Sequence, residues 1–198
     1  MKVGILGGTF DPVHNGHLIL ADASRTQLAL DIVLFVPAGE PWRKAHRTIT
    51  SGEFRLAMLM LAITDHAQFG ISDIELRHPG PTYTADTLEA LAAERLDDEF
   101  YFIVGADALA DLPSWHDPAR IVQHAVLAVA DRNGHQLETA IAAVPELAQR
   151  IVRFDMPPTP ISSTDIRARV AAGRDISAMV PHAVARYIAE HRLYVSDP

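Results

Sequence analysis

Strand candidates recur along the chain, most of them short apolar runs and each closed by glycine, proline or charge: Val3–Leu6, Asp31–Val36, Phe69–Ile74, Phe100–Val104, Val126–Ala130 and Ile151–Phe154. Runs without polar alternation are what a parallel sheet requires, because its strands are covered on both faces. Between them the apolar period lengthens to that of helices. Leu18, Ile19, Ala21 and Leu28 follow the first run, and Thr50/Ser51 with Glu53 open a helix containing Phe54, Leu56, Met58, Leu59 and Leu61. Further helices are expected near Ala85–Leu96 and Leu137–Gln149, and two more, near Thr164–Ala172 and Val180–His191, follow the break at Pro157–Pro160. Strands alternating with helices predict an α/β fold, an open parallel sheet flanked by helices with a helical C-terminal end. Ligands of such sheets bind beyond the carboxyl ends of the strands. Gly7-Gly8 and Gly105 follow strands and so fall on that edge, although the pattern alone does not make them neighbours.

The first strand runs into G-G-T-F-D-P-V-H-N-G-H, Gly7–His17. Gly7 and Gly8 allow close backbone approach to a ligand. A helix opening near Gly16 supplies free N–H groups and a positive dipole end, both of which favour an anion. His14 and His17, three residues apart, share one face of a first helical turn. Together these features describe a phosphate site; a glycine turn followed by two surface histidines is the competing reading. The stretch is not a P-loop, since no Gly-Lys-Ser/Thr follows, and its glycines have the wrong spacing for a dinucleotide fingerprint. The His-x-x-x-His spacing with an intervening glutamate that marks a zinc site is absent.

Composition narrows the function. With 198 residues, 48% of them hydrophobic and 21% charged, the chain suits a soluble domain with a sizeable core. A net charge of −8 argues against a nucleic-acid binder, so an anionic ligand must meet locally concentrated cations. The absence of cysteine excludes disulfides, thiolate metal sites and a cysteine nucleophile. No run is long enough to span a membrane and the N-terminus does not read as a signal peptide, so a cytoplasmic location is expected.

Gly7–His17 resembles the first signature of the nucleotidylyltransferase superfamily, and I-S-S-T-D-I-R at Ile161–Arg167 resembles its second. The likeness extends from Lys2 to about Leu193 and implies a Rossmann-like sheet in which Gly7-Gly8 and Gly105 are neighbours. It also implies one domain over residues 1–198, whose helical part from about 161 carries the second motif. Within the superfamily, T-Y-T at Thr82–Thr84 and L-P-S-W-H at Leu112–His116 resemble the nicotinate pocket of the bacterial nicotinate-nucleotide adenylyltransferases. Phosphopantetheine adenylyltransferase, which is shorter and normally has threonine where His14 stands, is the alternative enzyme. A nucleotide-binding sensor on the same fold is the non-enzymatic alternative, against which His14, His17, Lys44 and Arg167 all stand intact.

The resemblance assigns His14, His17, Lys44 and Arg167 to catalysis. It assigns Gly7, Gly8, Thr9, Phe10, Gly105, Asp107, Arg132, Ile161, Ser162, Ser163 and Thr164 to ATP. Thr84, Trp115 and His116 fall to the nicotinate ring, with Trp115 against the ring and backbone N–H groups of Thr84 and His116 on its carboxylate. Lys44 lies in P-W-R-K where the family carries Pro-Pro-His-Lys, so the lysine carries over and the histidine does not. By residue chemistry alone, Lys44 also reads as part of a solvated basic loop over Glu40–Thr50, and Trp115 as a core residue. Ser162-Ser163-Thr164 reads as a helix cap. Capping leaves unexplained why Arg167 sits one turn inside a positive helix end, a conflict that a bound anion resolves. The expected reaction joins nicotinate mononucleotide to ATP, with Mg²⁺ carried in by ATP and no dedicated metal cage. Homo-oligomerisation is left open.

Overall fold

The computed structural model describes residues 1–40, 49–131, 135–142 and 144–195, with no side chains described at 135–137 and 146. In order the elements are β1 (Lys2–Gly8), α1 (Asn15–Gln27), β2 (Ile32–Pro37), α2 (Gly52–Ile63), β3 (Phe69–Ile71), α3 (Ile74–Arg77), α4 (Thr84–Glu94) and β4 (Glu99–Gly105). There follow α5 (Ala106–Asp111), a 3₁₀ turn (Leu112–Ser114), α6 (Pro118–His124), β5 (Ala125–Asp131) and α7 (His135–Ala142). A second 3₁₀ segment (Pro145–Arg150), β6 (Ile151–Asp155), α8 (Ser163–Ala171) and α9 (His182–Glu190) complete the chain.

All strands pair in parallel in the order β3-β2-β1-β4-β5-β6. Alternate residues of each strand enter opposite cores. Leu6, Val33, Phe35, Tyr101, Ile103 and Ala128 face the layer that includes α1, α2, α8 and α9. Ile5, Leu34, Val36, Phe102, Leu127 and Val129 face that of α4, α5, α6 and α7. Burial on both faces is why the inner strands β1, β2, β4 and β5 read as nearly unbroken apolar runs. Strand order reverses between β1 and β4, whose paired ends carry Gly7-Gly8 and Gly105 to the same edge. The crevice there is where this topology places ligands.

Two elements depart from the sequence expectation. The strand expected over Phe69–Ile74 stops at Ile71, and α3 begins at Ile74. As an edge strand it pairs only with Val33–Phe35 before Ser72 N–H donates to Phe35 O at 3.0 Å. The helix expected over Leu137–Gln149 ends at Ala142, because Pro145 cannot continue it and pushes Val144 out of helical geometry (φ −133°, ψ 56°).

The C-terminal helices are tied to the rest from several directions. Asn15 N–H donates to Met179 O at 2.9 Å, and Asn15 Nδ2 to Ala178 O at 3.2 Å, which anchors the start of α1. Tyr194, beyond α9, donates its hydroxyl to Asp11 Oδ1 at 2.8 Å, reaching the corner after β1.

Candidate active site

The corner after β1 is held by close packing. A Cβ on Gly8 would lie 3.0–3.3 Å from ring atoms of Phe10, so the glycine lets that ring lie over the backbone. Phe10 has φ +50° and its ring is buried, edge-on to His17 at 4.9 Å and 5.7 Å from Phe35. Only its backbone is therefore placed to face a ligand. His14 caps α1 from an extended conformation, and a Cβ on Gly16 would come 3.0 Å from His14 Nδ1, so the glycine of H-N-G-H makes room for the ring.

The two histidines stack, with ring centroids 3.7 Å apart and planes 20° from parallel. His14 N–H donates to His17 Nδ1 at 3.2 Å. An Nδ1 that accepts is unprotonated, so the neutral His17 ring carries its proton on Nε2 as a donor. His14 is buried (7% exposed), and its Nδ1 has no hydrogen-bond partner among the described residues. Burial lowers its pKa to about 4, so this ring is neutral at physiological pH.

The second motif closes on the first. Ser162 caps α8 by accepting from Asp165 N–H at 3.1 Å, Ser163 Oγ donates to Pro12 O at 2.9 Å, and half-buried Ile161 packs on the core beneath. Arg167 spans the gap: Nη1 donates to Asp11 O at 2.5 Å and Nη2 to Thr164 Oγ1 at 3.0 Å. These acceptors fix the guanidinium against the opposing helix dipole. A cleft of about 230 Å³ lies between the motifs, lined by Gly8, Thr9, Phe10, Asp11, His17, Ile49, Ser163, Thr164 and Arg167. Lys44 and Arg132 lie outside the described residues, as does most of the expected basic loop, so their placement has no structural account here.

A second corner adjoins it. Gly105 caps α5, and a Cβ there would meet nothing within 4 Å, so the space beyond β4 is open beside exposed Asp107. Thr84 is the first residue of α4, where its N–H has no acceptor within the helix. The 3₁₀ turn carries Trp115, edge-on to Phe102 at 6.0 Å, and His116, whose ring lies 4.3 Å from Tyr83. The T-Y-T and L-P-S-W-H stretches therefore meet in space. Asp117 follows with φ +48°, turning the chain into α6, where Arg120 pairs with Asp86 (3.0 Å) and Glu89 of α4.

Three further residues of this region carry no expectation from sequence: Asp11, Tyr194 and Arg55. Asp11 and Arg55 are buried polar groups, and Tyr194 reaches Asp11. Burial pushes the Tyr194 hydroxyl well above its ordinary value, with Asp11 adding to the effect, so it stays a donor. Arg55 was legible in principle, since Arg55, Met58, Leu59 and Ala62 form one helical stripe and an arginine on such a stripe is buried for a reason.

Residues 5–169 match the cytidylyltransferase-like family, the class that this sheet order and cleft describe. The chain is 48% identical over 195 residues to a probable nicotinate-nucleotide adenylyltransferase of Thermomicrobium roseum, covering 98% of this chain and 91% of that one. A probable enzyme of the same name from Dehalococcoides mccartyi is 45% identical over 198 residues, covering 98% and 97%. The nicotinic acid mononucleotide adenylyltransferase of Plasmodium falciparum, solved in complex with NaAD, shares the fold at 22% identity and a TM-score of 0.81, covering 98% and 97%. The chain thus belongs to the cytidylyltransferase-like family and, within it, to the nicotinate-nucleotide adenylyltransferases.

Proposed function

We infer that this protein transfers the adenylyl group of ATP to nicotinate mononucleotide, releasing pyrophosphate and forming deamido-NAD, a step of NAD biosynthesis. The observation that carries the reading is the convergence of both signature motifs on one cleft at the strand-order reversal, supported by 48% identity over nearly the whole chain to a probable enzyme of that name.

A phosphate oxygen of the mononucleotide attacks the α-phosphorus of ATP while the bond from that phosphorus to the bridging oxygen breaks and pyrophosphate departs with the electron pair. The nucleophile is already anionic near neutral pH, so no general base is required. The obstacle is bringing two polyanions together in line, which positioning and electrostatics overcome. In this reading His17 donates Nε2–H to a phosphate oxygen of the transferring group and His14 supports it by stacking. Arg167 neutralises the triphosphate together with Lys44, and Ser162–Thr164 and the Thr9 corner contact its oxygens. Gly105, Asp107 and Arg132 serve the adenosine. Mg²⁺ would enter as part of the ATP substrate and neutralise part of its charge.

The carboxylate of the nicotinate ring accepts from the Thr84 and His116 N–H groups, with Trp115 against the ring. An amide in its place turns an NH₂ toward one donor and leaves a buried N–H unpaired, at about 1–3 kcal/mol, and loses a charge-assisted bond besides. Pyrophosphate release measured with ATP and nicotinate mononucleotide, nicotinamide mononucleotide or phosphopantetheine tests the reading. Turnover with the first, and kcat/KM falling by up to about 10⁴ with the amide, is expected. A ratio near one, or preference for phosphopantetheine, contradicts it.

A further inference from the structure

The two corners are joined by a partly buried polar link whose two arms meet at one residue, Gly39. Arg55 reaches it from one side. The residue is 2% exposed, and its guanidinium ends on carbonyls from three separate segments: Nη1 to Thr9 O at 2.9 Å, Nε to Thr50 O at 2.9 Å and Nη2 to Gly39 O at 3.4 Å. Glu75 reaches it from the other side. Its Oε2 accepts from Gly39 N–H at 3.4 Å and from Thr82 Oγ1 at 2.7 Å, and its Oε1 accepts from Thr87 Oγ1 at 2.8 Å.

The packing leaves little freedom at the junction. A Cβ on Gly39 would lie 2.3 Å from Glu75 O and 3.2 Å from Thr82 Cγ2, so only glycine fits against the start of α3. The next residue, Glu40, forms a parallel β-bridge with Pro81, so the chain leaving β2 runs directly alongside the segment that becomes T-Y-T. The link therefore runs from Thr9 through Arg55, Gly39 and Glu75 to Thr82 and Thr87, from the phosphate corner to the first turn of α4. Burial disfavours the Arg55 charge, and Asp11 and Glu75 offset part of that penalty. A buried ion with this many partners is a specification of geometry more than a source of stability.

We propose that Arg55 and Glu75 are positioning residues which, holding the C=O and the N–H of Gly39 respectively, fix the separation of the phosphate corner from the pyridine corner so that both substrates are held in line together. The inference rests on the substrate reading above. In-line transfer depends steeply on alignment, and a misplacement of about 1 Å can lower the rate about 10²-fold. Arg55 and Glu75 themselves are not among the residues that line the phosphate cleft. Loss of the link shows in the relation between substrates rather than in the affinity for ATP alone.

The test compares Glu75→Ala with Glu75→Gln in the full chain. Affinity for an ATP analogue with a non-hydrolysable α,β linkage is read by calorimetry, and KM for each substrate and kcat by pyrophosphate release. In Glu75→Ala the analogue binds within about threefold of the parent, while KM for nicotinate mononucleotide rises and kcat falls, each about tenfold. Glu75→Gln restores both to within about threefold, because the amide keeps one acceptor and the threonine hydroxyls rotate to serve its NH₂. A folded Glu75→Ala with parent KM and kcat overturns the proposal, as does an equal loss of ATP affinity, or a glutamine variant no better than alanine. Should Glu75→Ala not fold, Thr82→Val removes a single hydroxyl and reads the same split at about two- to fivefold; an unchanged KM there overturns it too. Failure of the substrate reading is distinct, since the parent protein would then make no deamido-NAD.

Discussion

The phosphate corner and the pyridine corner are built from different materials. Around the phosphates, cationic and hydroxyl groups are set by bonds to backbone carbonyls that cannot move independently: Arg167 on Asp11, Ser163 on Pro12, Arg55 on Thr9. Even the tautomer of His17 is fixed by a backbone N–H. The pyridine corner rests on ring contacts, Tyr83 with His116 and Trp115 with Phe102, for its polar anchorage on the single carboxylate of Glu75, which accepts from Thr82 and Thr87, and on the exposed pairing of Arg120 with Asp86 and Glu89. Surface pairs of that kind contribute little. On the proposed reading the difference divides the work: the rigid corner would set rate, where charge must be met by preorganised donors, and the aromatic corner would set which mononucleotide is accepted.

The largest expected effect therefore lies in the phosphate corner. His17→Ala removes one fixed donor and lowers kcat by about 10²–10³, with ATP affinity less affected. Steady-state turnover of the folded variant checks this, and unchanged kcat removes His17 from the rate-setting group. Arg167→Lys comes next. A lysine is a point charge that cannot span Asp11 O and Thr164 Oγ1 as the fork does, so kcat/KM for ATP falls about 10- to 100-fold. Equal activity in the lysine variant would mean that charge, and not rigid placement, is what this corner supplies.

A smaller effect is thermodynamic. His14 has its pKa lowered by burial from 6.5 to about 4. Between these values the unfolded chain binds a proton that the folded chain does not, so the stabilisation is complete above pH 6.5 and is lost as pH falls toward 4. Chemical denaturation across this window should show the parent losing about 1–2 kcal/mol more than His14→Gln between pH 7 and 5. Parallel losses in the two proteins would mean that His14 is not held neutral by the fold.

The same contrast explains what the sequence made legible. The phosphate corner is written locally, in two contiguous stretches whose glycines, histidines and hydroxyls each have a visible reason. The strands were readable because burial on both sheet faces leaves no polar alternation. The pyridine corner assembles Thr82–Thr84 with Trp115-His116, remote stretches whose meeting depends on α4 and α6 lying side by side. Only the family resemblance paired them in advance. Arg55 and Glu75 are not legible because their partners are backbone carbonyls and hydroxyls, near and far along the chain, which carry no charge or periodicity that a sequence would show. Pro145, by contrast, is visible in the sequence, and a proline ends a helix whatever apolar period runs past it.

If rate and choice reside in separate corners, removing a donor from one should leave the discrimination of the other intact. The direct measurement is the ratio of kcat/KM for nicotinate mononucleotide over nicotinamide mononucleotide, in the parent and in His17→Ala. Both rate constants should fall by about 10²–10³ in the variant, while their ratio stays within about threefold of the parent value because the two sites act additively. A ratio that collapses along with the rate would contradict the account, since it would mean that His17 takes part in choosing the substrate as well as in transferring the adenylyl group to it.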